Sequence, residues 1–405
     1  MKILIYGLNF YPEEVGIGKF TGELACWLKN KKNKINVVTS VPYFPEWKVN
    51  SNNYKKEVIK GINVFRCPIW IPHKLNTFNR LIHLLSFSVF SFPVFLKQLF
   101  WEPDLVFCVA PSILCAPSAL IFKLFSKSNT KFWLHIQDLE LEAAYKMGFL
   151  KIFFFKRIID FFEGFLYKKF DKVSSISHAM IKNISKKISG DEVEVFYFPN
   201  WIDMNPSWQN VIHKSNRYLA ELNIPSNSKI ILYSGSMNQK QGIEILIKVF
   251  EYLKDIPDLY MIIAGDGFSK KLILRMSKNF ARIINLPLQP KNRLHDFLCL
   301  ADVHLLPQKK EIADYVMPSK LLGIMASSRP VVVSSPKNSD LGKIAERVGI
   351  RVDPDDSINF AKAVRLLLKD KNLREVKGME AFKFVKENFY KETVLKSFLE
   401  EVRKL

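Results

Sequence analysis

The sequence predicts an α/β protein built from two doubly wound parallel sheets, and three observations lead there. Apolar runs of strand length alternate with helical patterns through the first half of the chain. A polar stretch punctuated by Pro199, Pro206 and Pro225 interrupts them, and the alternation then begins afresh. The 405 residues are enough for two cores, and 48% hydrophobic with 24% charged residues is a globular balance.

In chain order, strands are expected at Lys2–Tyr6, Lys34–Thr39, Asn63–Arg66, Leu105–Val109, Lys131–Ile136, Lys172–Ile176 and Val193–Phe196. Helices fall between them at Gly18–Asn30, around Asn79–Leu99, Pro117–Phe125 and Leu150–Lys169. The second set of strands is Lys229–Tyr233, Leu259–Ala264, Arg282–Ile284, Val303–Leu306 and Val331–Ser334, followed by a largely helical tail over Asn359–Lys404. This divides the chain into a first domain at 1–205, a linker at 206–228, a second domain at 229–385 and a terminal helix at 386–405.

The second domain carries the clearest chemical signal. Lys229–Tyr233 opens into Ser234, Gly235 and Ser236, then Lys240 and Gly242 ahead of a helix. Leu259–Ala264 ends in Gly265-Asp266-Gly267, and Val303–Leu306 leads to Pro318-Ser319-Lys320 and another helix. Glycines let backbone approach a ligand, helix N-termini offer unpaired N–H groups, and lysines add charge. Three such junctions on one sheet suggest a diphosphate pocket; the alternative is that each glycine serves only its turn. In the first domain, Gly16, Gly18 and Lys19 open a helix after a long loop, Asn9–Gly22, which is either a plain turn or a contact for phosphate or acceptor. His135, Gln137 and Asp138 occupy the end of Lys131–Ile136 and the residues after it, where catalytic groups are expected; a lone histidine is more often simply hydrogen-bonded.

The formal charge of +21 points to an anionic partner, although lysine usage along the whole chain supplies part of it. Phe78–Trp101 and Phe149–Phe170 are rich in aromatic and basic residues. In the latter, Phe154, Ile158, Phe161 and Phe165 share a face opposite Lys156, Asp160, Glu163 and Tyr167. That pattern is either a core-facing helix or one that docks on an anionic membrane. No nucleic-acid module, P-loop or metal-ligand spacing is present, so no nucleic-acid partner and no metal are expected. The five scattered cysteines suit free thiols in a reducing cytosol. The N-terminus enters a strand at once, without the pattern of a signal peptide. The apolar run Leu84–Leu96 is shorter than the ~18–20 residues of a membrane span and contains Pro93, so no spanning helix is expected.

Taken in order, the segments YPEEVGIGKFTGE, LHIQDLELEA, SSIS, FPNW, LYSGSMNQKQG, IIAGDG and VMPSKLLGIMASSRPVV give the chain its resemblance. Over nearly its full length it resembles retaining GT-B glycosyltransferases of family 4, in their colanic-acid-type, fucosyltransferase-like branch. The resemblance implies two Rossmann-like domains facing a cleft, with the C-terminal helix packing back on the first. It implies transfer of a sugar, L-fucose or a related deoxysugar, from a GDP- or UDP-linked donor to a lipid-linked oligosaccharide in bacterial surface polysaccharide synthesis. No metal or other cofactor is implied, and the protein would work in the cytoplasm, peripheral to the membrane. By the same likeness Gly16, Gly18, Gly235, Lys240, Gly265, Gly267, Ser319 and Lys320 border the donor, and Lys19 the acceptor. The family histidine of a His-Asp pair falls on Gln137, next to Asp138, and His135 is the candidate substitute. A family arginine falls on Ser236 and a ribose-binding glutamate on Gly323, which leaves Asp314 as the nearest carboxylate. Rival readings are a sugar-nucleotide epimerase of the same fold, a nicotinamide-dependent enzyme, and a non-enzymatic protein that binds a membrane or nucleic-acid surface.

Overall fold

A computed structural model describes residues 1–74, 77–110, 113–139, 142, 145, 153–188, 193–204, 216–238 and 241–405. The chain divides into two units, one of Met1–Asn200 with Leu395–Leu405 and one of Trp201–Val394.

The first unit runs β1 (Lys2–Gly7), α1 (Gly16–Asn30), β2 (Lys34–Ser40), β3 (Lys55–Ile59), β4 (Ile62–Cys67), α2 (Thr77–Leu96), β5 (Leu105–Ala110) and α3 (Ala116–Phe125). It continues with β6 (Lys131–Ile136), α4 (Phe153–Tyr167), β7 (Lys172–Ser175), α5 (His178–Ile188) and β8 (Val195–Tyr197). The strands form one sheet in the order β3-β4-β2-β1-β5-β6-β7-β8, parallel except for the β3–β4 pair. β1 and β5, both buried throughout their centres, mark the place where the direction of the crossovers reverses. β3 was not expected from the sequence. Its charged residues Lys55, Lys56 and Glu57 suit an exposed antiparallel edge, and Lys60 and Gly61, both at positive φ, make the tight turn into β4.

α2 departs from the expected arrangement, and in α4 one of the two expected orientations is found. Pro93 lies inside α2 without ending it. The stretch Phe78–Trp101, 24 residues, is thus long and apolar enough to cross a membrane by length and composition alone, contrary to the expectation. One stripe of it (His83, Phe87, Ser91 and Phe95) is nevertheless buried against the sheet, with Tyr6 Oη 2.8 Å from Ser91 Oγ and the Tyr6 and Phe95 rings stacked at 4.0 Å. Of the two orientations expected for α4, the structure has the one with the apolar face outward. Ile158, Phe161 and Phe165 are exposed, whereas Glu163 and Tyr167 are buried and Asp160 is half-buried; the Phe154 and Lys156 side chains lie outside the described residues. Lys187 of α5 explains this orientation. Its ammonium pairs with Glu142, Glu163 and Asp160 (3.2 Å for the last), so the acidic side turns inward to meet it. These three carboxylates are also the one group of metal-ligand type found among the described residues, and Lys187 supplies a cation among them.

The second unit runs α6 (Asn216–Glu221), β9 (Lys229–Ser234), α7 (Ile245–Glu251), β10 (Leu259–Ala264), α8 (Lys270–Ser277), β11 (Ile283–Leu286), α9 (Lys291–Cys299), β12 (Val303–Pro307) and α10 (Lys320–Ala326). Then come β13 (Val331–Ser334), α11 (Asp340–Val348), β14 (Gly349–Val352), α12 (Ser357–Lys369), α13 (Lys371–Phe389) and α14 (Lys391–Lys404), the last of which carries the chain into the first unit. The strand order is β11-β10-β9-β12-β13-β14, all parallel. Alternation along β9 divides its side chains between two cores. Ile231 and Tyr233 pack with α7 and α12 residues such as Val249 and Val364, while Ile230 and Leu232 pack with Tyr218 of α6 and Phe297 of α9. Residues 216–224, inside the stretch read as linker, therefore belong to this core. Crossovers reverse between β9 and β12, and their carboxyl ends border the place where open α/β sheets bind ligands.

Candidate active site

At that switch point the two glycine loops interlock. Gly235, Gly265 and Gly267 all have φ between +139° and +156°, a region that only glycine adopts without strain. A Cβ on Gly265 would collide with the Gly235 carbonyl oxygen, and one on Gly267 would sit 2.8 Å from the Met237 carbonyl. Met237 N–H donates to the Asp266 carbonyl at 2.7 Å, and Ser269 N–H to Met237 O at 2.8 Å, so the loops form one backbone unit.

Lys320, the first residue of α10, enters this unit from β12's side of the sheet. Its Nζ donates to Tyr233 Oη at 2.8 Å and lies 4.1 Å from that ring's centroid, while Tyr233 Oη donates to the Ser236 carbonyl at 2.5 Å. A Cβ on Gly235 would be 3.0 Å from Lys320 Cδ, so the lysine stem lies against bare backbone. Loss of hydration, with no carboxylate among the described residues in compensation, draws the ammonium pKa down to about 7. A phosphate would supply the missing charge. Ser319, beside it, is exposed. Lys240 lies outside the described residues. Gly242, two positions on, has φ +60°, and a Cβ there would meet Lys309 Cγ at 3.2 Å, which brings a second lysine to the end of β12. Asp314 is exposed on the turn before α10. A side chain at Gly323 would press against Leu298 at 3.1 Å.

In the first unit, His135 is buried and engaged at both ring nitrogens. Ser174 Oγ lies 2.7 Å from Trp133 Nε1–H and 2.9 Å from His135 Nδ1, and Gln137 Nε2 is 2.9 Å from His135 Nε2. With Nδ1–H donating to Ser174, the Nε2 lone pair accepts from the Gln137 amide. Burial pushes the imidazole pKa down to about 3, so the ring is neutral. This geometry makes His135 a strut for Gln137, itself buried, whereas Asp138 is half-buried beyond the strand end. The loop after β1 is fixed by Glu13. One carboxylate oxygen accepts from the N–H groups of Tyr43 and Phe44, each at 2.9 Å, and the other from Asn9 Nδ2 at 2.8 Å. Burial raises the Glu13 pKa against those bonds. A Cβ on Gly18 would lie 2.9 Å from Glu13 Cβ, so this glycine allows the loop to fold onto the helix start. Gly16, at φ +59°, begins α1, whose preceding residue Val15 gives no side-chain cap to the first-turn N–H groups. Lys19 is half-buried, with Nζ 5.2 Å from the Phe20 ring centre.

The sequence reading brought Gly235, Gly265, Gly267 and Lys320 together, and Gly16 with Gly18, without naming what fixes them. Tyr233 does that for Lys320 and Glu13 for Gly18, while Ser174 holds His135 and Lys309 lies against Gly242. The only sequence signal for them is a polar residue next to a glycine loop or strand end.

Residues 214–384 match the family model described as glycosyl transferases group 1. Over the full length of both chains, the protein is 34% identical to WcaI of Escherichia coli K12, a protein provisionally named as a colanic acid biosynthesis glycosyl transferase. The chain belongs to the group 1 glycosyltransferases. The fold of this glycosyltransferase is that of GT-B enzymes. It superposes on sucrose-phosphate synthase from Thermosynechococcus elongatus with a TM-score of 0.77 at 15% identity, covering 100% of this chain and 98% of the other. It likewise matches Anabaena HepE, solved with UDP-glucose, with a TM-score of 0.69 at 14% identity over the whole of both chains. Membership of this family sets aside the nicotinamide-dependent and non-enzymatic readings.

Proposed function

We propose that this glycosyltransferase moves a sugar, L-fucose or a related deoxysugar, from a GDP- or UDP-linked donor to a lipid-linked oligosaccharide, with retention of anomeric configuration. The product would belong to a bacterial surface polysaccharide of the O-antigen or exopolysaccharide kind. The observation that carries this reading is the full-length likeness to a protein named for colanic acid biosynthesis, joined to the convergence of Gly235, Gly265, Gly267 and Lys320 at one switch point. The UDP-glucose bound to the HepE neighbour supports a nucleotide sugar as donor.

In this reading the diphosphate rests on the second unit's glycine loops and on Lys320, with Lys240 and Ser319 as further contacts and Asp314 toward the ribose. As the anomeric C–O bond breaks, the departing diphosphate gains charge, which Lys320 and preorganised backbone N–H groups offset without reorganisation. Gly16 and Gly18 present first-turn N–H groups of α1 to the donor phosphates. Lys19 serves the acceptor, and Gln137 with Asp138, held by His135, orients the reacting sugar. Lysines and N–H groups carry the leaving-group charge, so no metal or cofactor is assigned a step. The lipid of the acceptor keeps the reaction at the inner face of the cytoplasmic membrane, where a formal charge of +21 favours a peripheral protein.

Thermal stabilisation across a panel of GDP-, UDP- and dTDP-sugars tests the donor assignment, because ligand binding to the native state raises apparent stability by mass action. One nucleotide class should raise the melting temperature by several degrees. No shift with any of them would remove the nucleotide-sugar reading, and conversion of a donor in the absence of any acceptor would favour the epimerase.

A further inference from the structure

The outward faces of α2, α3 and α4 have no role in the site, and they are unusually apolar. The crossovers β4→β5, β5→β6 and β6→β7 all proceed in the same direction along the sheet. Right-handed connection therefore places the three helices on one face, side by side. Packing agrees: Phe95 of α2 lies 4.6 Å from Phe122 of α3, and Lys123 of α3 donates to the Lys169 carbonyl just after α4 at 3.0 Å.

Each helix turns a stripe of large apolar side chains to solvent. On α2 it is Leu85 and Val89, one turn apart, with Phe90 exposed next to Val89. On α3 it is Ile121, Leu124 and Phe125, with Leu124 80% exposed. On α4 it is Ile158, Phe161 and Phe165, with Phe161 78% exposed. An ordinary surface helix would bury these phenylalanines and expose its acids. Here α4 does the reverse and needs Lys187 to compensate the buried carboxylates. Such an inversion is costly in water and reasonable where the outer face leaves water.

We infer that the joined outward faces of α2, α3 and α4 form a monotopic docking surface for an anionic lipid bilayer. Charge favours this occupant over a protein. Glu102 and Asp171 at the edge are each paired with a lysine, at 2.7 and 3.0 Å, and Asp160 and Glu163 with Lys187. Lys97, Arg157 and Lys169 are exposed around the apolar stripes, and Lys169 Nζ lies 5.3 Å from the Phe165 ring centre. Apolar side chains ringed by surplus positive charge match acyl chains beneath anionic headgroups. The docking face deepens the membrane-peripheral part of the proposed function, but it uses residues that the nucleotide site does not, so either can fail alone.

The test is sedimentation of the full chain with phosphatidylcholine vesicles, alone and with about a third phosphatidylglycerol. Wild type should bind the anionic vesicles at least tenfold more tightly than the neutral ones. The Leu124→Ser/Phe161→Ser/Phe165→Ser variant should lose most of that binding while keeping its melting temperature and its nucleotide-induced stabilisation, since all three side chains are exposed. Lys97→Glu/Lys169→Glu should weaken the anionic preference and its salt sensitivity. The docking surface is overturned if wild type ignores anionic vesicles or if the triple variant binds as well as wild type. A concentration-dependent dimer that the triple variant dissolves would also overturn it, by assigning the face to a second copy. Vesicle binding without any nucleotide-induced stabilisation would leave the docking face standing and remove only the nucleotide-sugar reading of the site.

Discussion

Lys320 sits in a place built for an anion, and among the described residues no carboxylate pairs with it. Its ammonium lies over the Tyr233 ring, and its pKa is drawn down to about 7 by lost hydration. A bound diphosphate would restore the charged form, so above pH 7 binding must take up a proton. The sign follows from linkage: affinity is full below the free-state pKa and falls as pH rises above it. Nucleoside diphosphate binding should weaken several-fold between pH 7 and 8.5, with proton uptake visible by calorimetry in buffers of different ionisation enthalpy. Binding that is flat across this range, with no uptake, would show that Lys320 does not meet the phosphates. Gly265 gives a second residue-level expectation. An alanine there requires φ +156° and collides with the Gly235 carbonyl, so Gly265→Ala should cost about 1–3 kcal/mol of local strain and abolish nucleotide-induced stabilisation while the fold remains. Retained stabilisation would mean the loops can separate without loss.

At the scale of elements, α4 shows what sequence periodicity can and cannot give. The spacing identified its two faces but not which one turns inward, because that is decided by Lys187, on the next helix, rather than by α4 itself. Lys187→Met should therefore be far more damaging than an ordinary surface change. It leaves Glu142 and Glu163 buried without a cation, at about 3–5 kcal/mol, readable as a fall in the urea midpoint. A midpoint within experimental error of wild type would mean that α4 is held by its apolar contacts alone. The buried parallel strands β1, β5, β9 and β10 were legible for the opposite reason: each buries both faces, so a continuous apolar run identifies it without reference to any partner. β3 and β14 were not, since a charged edge and a four-residue strand opening on glycine carry little apolar signal. The glycine loops of the site were legible from backbone demand. Glu13 and Tyr233 were not, because Tyr43, Phe44 and Lys320, which define their roles, come from parts of the chain remote in sequence.

At the scale of the whole molecule, the first unit is finished by the last residues of the chain. After the second unit is built, α14 brings Phe398 to the first sheet, where its ring lies 4.8 Å from both Trp133 and Phe198 and 5.2 Å from Phe107. Leu395 and Val402 are buried beside it, and Glu401 pairs with the buried Lys172. Trp133 shares β6 with His135 and donates to the same Ser174 Oγ, and the Phe198 ring lies 5.0 Å from the His135 ring, so the terminal helix backs the layer that orients Gln137. A fragment of residues 1–200 lacks that cover and should expose the Trp133 and Phe107 surface, binding hydrophobic dyes and melting without cooperativity. In the full chain Phe398→Ala should remove about 3–5 kcal/mol from the first unit, the usual cost of emptying a buried phenylalanine site. Calorimetry with and without nucleotide separates the units: the ligand should raise the transition of the second, and the substitution should lower the other. If Phe398→Ala shifts the nucleotide-sensitive transition instead, the helix supports the second unit and the closing role assigned to it is wrong.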